Sequence, residues 1–295
     1  MISAVVNVKN GQEVLERCLK SLTWADEIVV VDDGSTDDTV KIAKKYTDKI
    51  FKHKSAGYVE PARNFAVSKA SNEWVLVLDA DEEVPLTLAG ELKRIANSKS
   101  QIADYVKIPR KNIIFNKWIE HSGWWPDLNV RFFKKGKVIW NDKIHSDPQV
   151  SGKGLELDAR EDLAIIHYNY QTISQYLNRL NKYTDIETKQ KIAEGEKFSL
   201  TKVLRDTSGE FFRRYFAWEG YKDGLHGFIL AILQAFSFFV AGLKVWETGK
   251  FTQVTEKEVI ESVKVEVKQS LSDLKYWYSK TKLSSAWQRF KSKFL

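Results

Sequence analysis

The chain has 295 residues, 43% of them apolar and 29% charged, which excludes a disordered or fibrous protein and leaves room for one large domain or two smaller ones. A single cysteine, Cys18, excludes an intramolecular disulfide and a cysteine-based zinc cluster. The net charge of +7 is unevenly placed: residues 1–167 carry 25 Lys/Arg against 25 Asp/Glu, whereas residues 168–295 carry 21 against 14, so the second part favours an anionic partner.

Ile2–Val8 is a short β-rich run. Met1 leads straight into it without a basic n-region or a cleavage site, so no secretory signal is expected and this part is expected in the cytosol. Glu13–Leu22 places Val14, Leu15, Cys18, Leu19 and Leu22 at helical spacing. Ile28–Val31 is an apolar run that stops at Asp32-Asp33-Gly34-Ser35. Thr36–Tyr46 reads as a helix capped by Ser35 or Thr36. Lys49–Lys52 reads as a short strand, Pro61–Ala70 as a helix, and Trp74–Leu78 as a buried strand that stops at Asp79. Strands alternating with helices predict a mainly parallel sheet, with ligands beyond the carboxyl ends of its strands.

From about residue 103 to 167 the pattern is richer in strand, with runs at Tyr105–Pro109, Val130–Phe133, Val138–Trp140 and Ala164–Tyr168. From 172 onward the chain reads as helix. Residues 224–243 form a 20-residue window without Asp, Glu, Lys or Arg, about the length that crosses a bilayer. His226, Gln234 and Ser237 interrupt it, and Gly224, Gly227 and Gly242 weaken it. Spanning a membrane, lying at its interface and burial in a soluble fold all fit, and the neighbouring basic, aromatic sequence favours the interface. Ile260, Val263, Val267, Leu271 and Leu274 make a heptad-like stripe, which fits packing on the enzyme or a homodimer through 256–278. Residues 275–295 hold six basic residues, six aromatics and no acid, a composition suited to an anionic membrane surface at about 1 kcal/mol per basic residue. No nucleic-acid motif accompanies that charge, so no nucleic-acid partner is expected. The expected division is a catalytic domain over 1–170, a helical region over 171–254 with the interfacial segment 224–243, and an amphipathic basic helix over 255–295.

The chemistry concentrates at two strand ends. The first is Val29-Val30-Val31-Asp32-Asp33-Gly34-Ser35-Thr36-Asp37. A carboxylate there can accept a hydrogen bond from a base N–H or a ribose hydroxyl, and the same residues also make ordinary turns and caps. The second is Val75-Leu76-Val77-Leu78-Asp79-Ala80-Asp81-Glu82. Two carboxylates two residues apart can share a divalent cation with a diphosphate, or form an acidic turn. In their order, with Ala62-Arg63-Asn64 between them, these motifs resemble the nucleotide-sugar domain of glycosyltransferase family 2, the inverting enzymes of the GT-A fold. Val8-Lys9-Asn10, Arg17-Cys18-Leu19, Gly123-Trp124-Trp125-Pro126-Asp127, Arg131-Phe132-Phe133, Ile144-His145, His167-Tyr168 and Asn181-Lys182-Tyr183 extend the resemblance over about residues 1–250. They point to the branch that includes the lipopolysaccharide core β-glucosyltransferases. The chain departs from that branch at Gly11 and Ser146, where an acidic residue is common.

The resemblance implies an α/β GT-A fold: a Rossmann-like nucleotide-sugar domain, its mainly parallel sheet flanked by helices, with a helical, membrane-associating C-terminal region. It implies that the backbone around Val8 and Lys9, with Asp32 and Asp33, holds base and ribose. Arg63 and Asn64 would face the nucleotide and its phosphates, and Asp79 the ribose or sugar. Asp81 would bind a divalent cation (Mg²⁺ or Mn²⁺), His145 would complete the metal or diphosphate site, and Asp127 would be the general base. Trp124 and Trp125 fit an apolar floor for an acceptor sugar, and fit core packing as well. His53, His121 and His226 have no motif support and read as structural or exposed. His167 fits a hydrogen-bonded strand histidine as well as a site residue, and Glu161-Asp162 reads as a surface turn. The implied activity is metal-dependent transfer of a hexose, with glucose expected, from a nucleotide-sugar donor, with UDP expected. The acceptor would be a lipopolysaccharide-core or other lipid-linked saccharide, and the enzyme would be peripheral on the inner face of the cell membrane. Transfer to a polyprenyl phosphate and a non-catalytic nucleotide-binding scaffold are the alternatives.

Overall fold

In the computed structural model of the chain, which describes residues 1–54, 60–141 and 147–281, the run Ile2–Val8 forms strand β1 with all seven residues buried. Next come α1 (Leu15–Lys20), β2 (Glu27–Asp32), α2 (Thr39–Ala43), β3 (Ile50–Lys52), α3 (Glu60–Lys69) and β4 (Trp74–Asp79). After β5 (Glu82–Glu83) and α4 (Leu86–Ala96) the chain is rich in strand. It forms β6 (Tyr105–Ile108), β7 (Arg110–Ile114), β8 (Lys117–Trp118), β9 (Asn129–Lys134) and β10 (Val138–Ile139). Then follow β11 (Gln149–Val150), β12 (Gly154–Glu156) and β13 (Ile165–Tyr168). The remainder is helical: α5 (Ile173–Ala193), α6 (Leu200–Phe212), α7 (Leu225–Thr248) and α8 (Glu256–Lys280). Two units result, Met1–Ile114 with Trp125–Asn169, and Phe115–Trp124 with the chain from Tyr170 on.

The first unit is built on a seven-stranded sheet in the order β12-β6-β9-β4-β1-β2-β3. Its neighbours run parallel except β9, which is antiparallel to both β4 and β6. The expected α/β architecture with a mainly parallel sheet is what forms. The reason is visible in β1: apolar residues that are buried on both faces can only sit at the centre of such a sheet. Val5, Val29, Val31, Val75 and Val77 pack with Ala66 and Val67 of α3 on one face. Val6, Leu76 and Leu78 pack with Leu15 and Leu19 of α1 and Leu88 and Leu92 of α4 on the other. Each such side chain stabilises by about 1.5–3 kcal/mol. A smaller sheet sets β13 antiparallel to β5, with His167 opposite Glu82, and parallel to β7, with His167 opposite Asn112.

Helix α2 is shorter than Thr36–Tyr46, and neither Ser35 nor Thr36 caps it. Those residues are taken by the loop after β1. The Asn10 N–H donates to Ser35 Oγ at 2.8 Å, the Thr36 N–H donates to Asn10 Oδ1 at 2.8 Å, and the Gly11 N–H donates to Thr39 Oγ1 at 2.8 Å. The helix begins only at Thr39, so its cap position falls on Asp38, beyond both residues.

At the amino ends of the strands, Glu27 of β2 gathers Lys49, the Ser3 hydroxyl, the Ser71 N–H at 2.8 Å and the Ser71 hydroxyl at 2.8 Å. Burial alone would raise its carboxyl, but Lys49 and the serines hold it at about 2, against an ordinary 4.5. A depressed carboxyl stabilises the fold above its unfolded value and loses that stabilisation as pH falls through the folded one. Glu27→Gln is therefore expected to lower stability by on the order of 2 kcal/mol above pH 5. The gap to the native chain should close between pH 4.5 and 2, as read from urea midpoints against pH.

In the second unit α7 packs on α5 and α6 and buries Leu230, Ala231, Ala235, Ala241 and Val245. Gly227 permits the approach at its start, since a Cβ there would meet the Gly220 carbonyl oxygen at 1.8 Å. By length and composition α7 could cross a membrane. Its Leu225, Phe228, Ile232 and Phe236 form an exposed apolar stripe. Helix α8 opens on a capping box of Thr255 and Glu258. It meets α6 through polar contacts: Glu266 with Ser208, Arg205 with Asp273 at 2.6 Å, and Thr201 with Ser262 at 2.9 Å. The heptad-like stripe from Ile260 to Leu274 stays exposed.

Candidate active site

Parallel neighbours β1, β2 and β4 end together, with Val8 opposite Asp32 and Asn7 opposite Asp79. Both acidic clusters therefore stand on one sheet edge, the edge where such sheets bind ligands. Asp32 closes its turn by accepting the Ser35 N–H at 3.0 Å, and Gly34 takes a φ of 84°, which its missing side chain allows. The Asp33 N–H donates to the Val8 carbonyl at 2.8 Å, and Lys9 is exposed beside it. The Asp33 carboxylate lies 2.8 Å from His53 Nδ1. His53 thus belongs to this edge. Sequence reasoning missed it because a single histidine after a short strand carries no pattern.

The second cluster is more strongly tied. Arg63 Nη2 donates to both oxygens of Asp79 at 3.1 Å, and Arg131 Nη2 donates to Asp79 Oδ2 at 2.8 Å. Burial would push the Asp79 carboxyl up, but the Arg63 and Arg131 guanidiniums hold it well below its ordinary value. Glu82 is buried. Its Oε1 accepts from Arg131 at 2.8 Å and from Arg110 at 3.4 Å, and its Oε2 accepts the Asp79 N–H at 2.9 Å. Asp79 and Glu82 are thus committed to arginines, whereas Asp81 faces His167, whose Nε2 stands 3.6 Å from Asp81 Oδ1.

The network continues from His167. Its Nδ1 lies 2.7 Å from Asn112 Oδ1, and Asn112 Nδ2 donates to Asp127 Oδ2 at 2.8 Å. Because the Asn112 amide nitrogen faces a carboxylate, its oxygen must face His167, so Nδ1 donates to it while Nε2 faces Asp81. Asp127 Oδ2 also accepts from Arg110 Nε at 2.8 Å, and its Oδ1 accepts from Asn129 at 3.1 Å. Burial raises the Asp127 carboxyl, yet Arg110 and the two asparagines bring it below its ordinary value. Asp127 holds a φ of 43°, a conformation that Asp and Asn adopt more readily than most residues. One connected set thus runs from Asp81 through His167 and Asn112 to Asp127. A second runs from Asp127 through Arg110, Glu82 and Arg131 to Asp79. Arg110, Asn112 and Asn129 were not singled out from sequence. The signal for the first two was available, because polar residues two apart on a strand share one face.

The position of Asn64 corrects its expected role. Its Nδ2 donates to the Trp140 carbonyl at 2.8 Å, and its Oδ1 accepts the Trp140 N–H at 3.0 Å. Both ends of the amide pin the chain after β10, so this side chain braces the site rather than facing phosphates. His145 lies outside the described residues. Trp125 is half-buried in the first unit. Trp124 belongs to the second unit, where its N–H donates to the His121 carbonyl at 3.0 Å and the Arg214 guanidinium stands 5.5 Å from its ring. His121 pairs with Asp223 at 3.3 Å and His226 with the Phe115 carbonyl at 3.1 Å, both as structural contacts. Glu161 and Asp162 form a short turn of helix, where Glu161 meets Lys111 and Asp162 meets Arg160.

Comparison with known proteins gives the family. The family described as "Glycosyl transferase family 2" matches residues 3–151. An uncharacterised glycosyltransferase of Rickettsia typhi is 31% identical over 255 residues, covering 83% of this chain and 87% of that protein. The lipopolysaccharide core biosynthesis glycosyltransferase LpsC of Rhizobium meliloti is 24% identical over 253 residues, covering 83% and 92%. Among solved structures, S. aureus TarS in complex with UDP-GlcNAc is 16% identical over 86% of this chain and 93% of that one, with a TM-score of 0.44. With both acidic strand ends inside the matched residues, and with a relative of that identity spanning most of both chains, this protein belongs to glycosyltransferase family 2.

Proposed function

We propose that the protein is a metal-dependent inverting glycosyltransferase that moves a hexose, glucose in the first instance, from UDP to a lipopolysaccharide-core or other lipid-linked saccharide. As a family 2 glycosyltransferase it takes its sugar from a nucleotide-sugar donor. The observation that carries the reading is the bonded path from Asp81 and His167 through Asn112 to Asp127. It links a carboxylate and an imidazole, the two side chains that would face a cation, to a fixed carboxylate. The acceptor class draws support from the likeness to LpsC.

Asp81 and His167 offer two donors to a divalent cation, and among the described residues no group of three or more His, Cys, Asp and Glu side chains gathers there. One carboxylate oxygen and one imidazole nitrogen 3.6 Å apart need little movement to serve one ion, whose adjacent ligands lie about 3 Å apart at metal–ligand distances of about 2.1 Å. Asp81 and His167 would hold the ion, and it would supply positive charge against the departing diphosphate. Asp127 takes the proton of the acceptor hydroxyl while that oxygen bonds to the anomeric carbon. The bond from that carbon to the diphosphate breaks on the opposite face. Asn112 keeps base and metal ligand in fixed relation, which is what positioning supplies to such a displacement.

The exposed stripe of α7, together with the basic, aromatic stretch from Lys275 on, supports a peripheral location on the cytosolic face of an anionic membrane. Packing of α7 on α5 and α6 supports an interfacial rather than a spanning role. Flotation with anionic and with neutral vesicles tests this, and equal absence from both would refute it.

The function is tested by incubating the protein with a panel of nucleotide sugars in Mg²⁺, Mn²⁺ or EDTA and measuring released nucleoside diphosphate. Release from one donor is expected, lost in EDTA and reduced at least about a hundredfold in Asp81→Ala. Turnover indifferent to EDTA and to that substitution would overturn the metal-dependent reading.

A further inference from the structure

Helix α1 and its C-cap residue Ser21 brace the stretch that carries Asp81. Cys18 Sγ stands 3.7 Å from the Asp79 carbonyl oxygen. The Ser21 hydroxyl accepts the Val84 N–H at 3.1 Å and donates to the Cys18 carbonyl at 2.7 Å. Arg17 reaches further, to β13. Its guanidinium carbon sits 3.3 Å from the centre of the Tyr168 ring, and its Nε stands 3.9 Å from Glu83 Oε2. The Tyr168 hydroxyl donates to the same Glu83 oxygen at 3.0 Å. Arg17, Tyr168 and Glu83 thus close a triangle that joins α1, β13 and β5.

Tyr168 is the link to the site. Strand β5 has only two residues, and its ladder with β13 pairs His167 with Glu82 and Ile166 with Glu83. Asp81 lies just past the end of that ladder, where the Tyr168 backbone N–H donates to its carbonyl at 3.0 Å. The neighbouring His167 places Nε2 3.6 Å from Asp81 Oδ1. Adjacent residues of a strand face opposite sides. The ring that Arg17 covers and the imidazole that meets Asp81 and Asn112 are therefore two faces of one short segment, and fixing the ring fixes the tilt of the imidazole.

We propose that Arg17 is a positioning residue that, by stacking on Tyr168, holds Asp81 and His167 at a separation from which both reach one divalent cation. The inference rests on the transferase reading and adds to it a residue that acts through another. A guanidinium suits this duty because its plane lies on an aromatic face while its edge turns to a carboxylate. With 41% of its side chain exposed, Arg17 contributes little to overall stability. Its effect belongs instead to the geometry of the site, where outer partners that orient a metal ligand are worth about 10–100-fold in metal affinity.

The test uses the full chain and measures Mn²⁺ binding directly. Free Mn²⁺ is followed by electron paramagnetic resonance during titration with UDP present, and thermal unfolding is recorded without metal. The proteins compared are the native chain, Arg17→Met, Arg17→Lys, Tyr168→Leu and the Arg17→Met/Tyr168→Leu double variant. Arg17→Met keeps the length of the side chain and removes its planar charge. It is expected to unfold near the native temperature and to bind Mn²⁺ about tenfold more weakly. Arg17→Lys, which returns a cation to the ring without the flat face, should fall between and serves if the methionine variant does not fold. Tyr168→Leu should lose about as much as Arg17→Met, and the double variant little more than either, because both substitutions break one contact. In turnover, the Arg17→Met defect should appear as a raised Mn²⁺ requirement, with kcat within about twofold of native once Mn²⁺ saturates. A folded Arg17→Met that binds Mn²⁺ as tightly as the native chain would overturn the inference and leave Arg17 a surface contact. Losses that multiply in the double variant would also overturn it, since Arg17 would then act by a route other than Tyr168. A native protein that binds no Mn²⁺ with UDP present would overturn the metal-dependent reading itself, and this inference with it.

Discussion

Asp127→Asn is expected to lower turnover by about 10²–10⁴-fold, the usual worth of a positioned general base, or about 3–5 kcal/mol in the barrier. The substitution suits the question because Asn also tolerates the left-handed backbone that position 127 adopts at φ 43°. It keeps the shape and the bond from Asn129 while removing the charge. Nucleoside diphosphate binding with Mg²⁺ should change by no more than a few-fold, because the acid at 127 receives the acceptor's proton and does not hold the donor. The pH profile carries a second check. Burial raises the Asp127 carboxyl, but Arg110, Asn112 and Asn129 bring it below 3.8, so its basic form persists below that pH. Loss of kcat/KM on acidification through Asp127 is therefore expected only below pH 3.8, and the profile should be flat from pH 5 to neutrality in this limb. Turnover in Asp127→Asn within threefold of the native rate would remove Asp127 as the base.

Arg131→Leu is expected to destabilise the fold by about 3–5 kcal/mol, the cost of breaking a buried ion pair by deleting one partner. Arg131 is buried, and its Nη2 stands 2.8 Å from both Asp79 Oδ2 and Glu82 Oε1. Burial works against its charge, yet Glu82 and Asp79 raise its affinity for the proton above the ordinary arginine value. Removing it leaves the fully buried Glu82 with the Asp79 N–H at 2.9 Å and, for its charge, the longer contact to Arg110 at 3.4 Å. Urea denaturation should show the loss as a lower midpoint at unchanged slope. Arg131→Leu combined with Glu82→Leu should recover much of it, since both charges then leave the interior together. A single-substitution effect below about 1 kcal/mol would show that Arg131 does not compensate these acids. Arg131→Lys should behave more like leucine than like arginine, because one ammonium cannot reproduce the guanidinium fork between two carboxylates.

Much of the site was legible before any coordinates. Asp32, Asp33, Asp79 and Asp81 all stand at strand ends, as the abrupt stop of each apolar run at an acid indicates. The roles within those clusters were not legible. Asp79 and Asp81 look alike in sequence, but one is clamped by two arginines and the other faces an imidazole. Asn64 and Asn112 are equally plain asparagines. The first is spent on the backbone of Trp140 and the second joins His167 to Asp127.

The sequence alone determined the strands of the large sheet except β12, and the helical character of the second part, because these follow from periodicities of two and 3.6 residues that a short window contains. It also determined that carboxylates collect at one edge, since parallel strands joined by crossovers end on the same side. Only the tertiary structure decided the partners. Asp79 meets Arg131 across 52 residues, Asn64 meets Trp140 across 76, and Glu27 meets Ser71 across 44. Such pairings depend on strand order and register, as when β13 inserts between β5 and β7 and carries His167 to Asp81 and Asn112. The same holds for what lacks a partner among the described residues. Asn7 is one polar residue in an apolar strand, and its isolation exists only once β2 and β4 have closed around it.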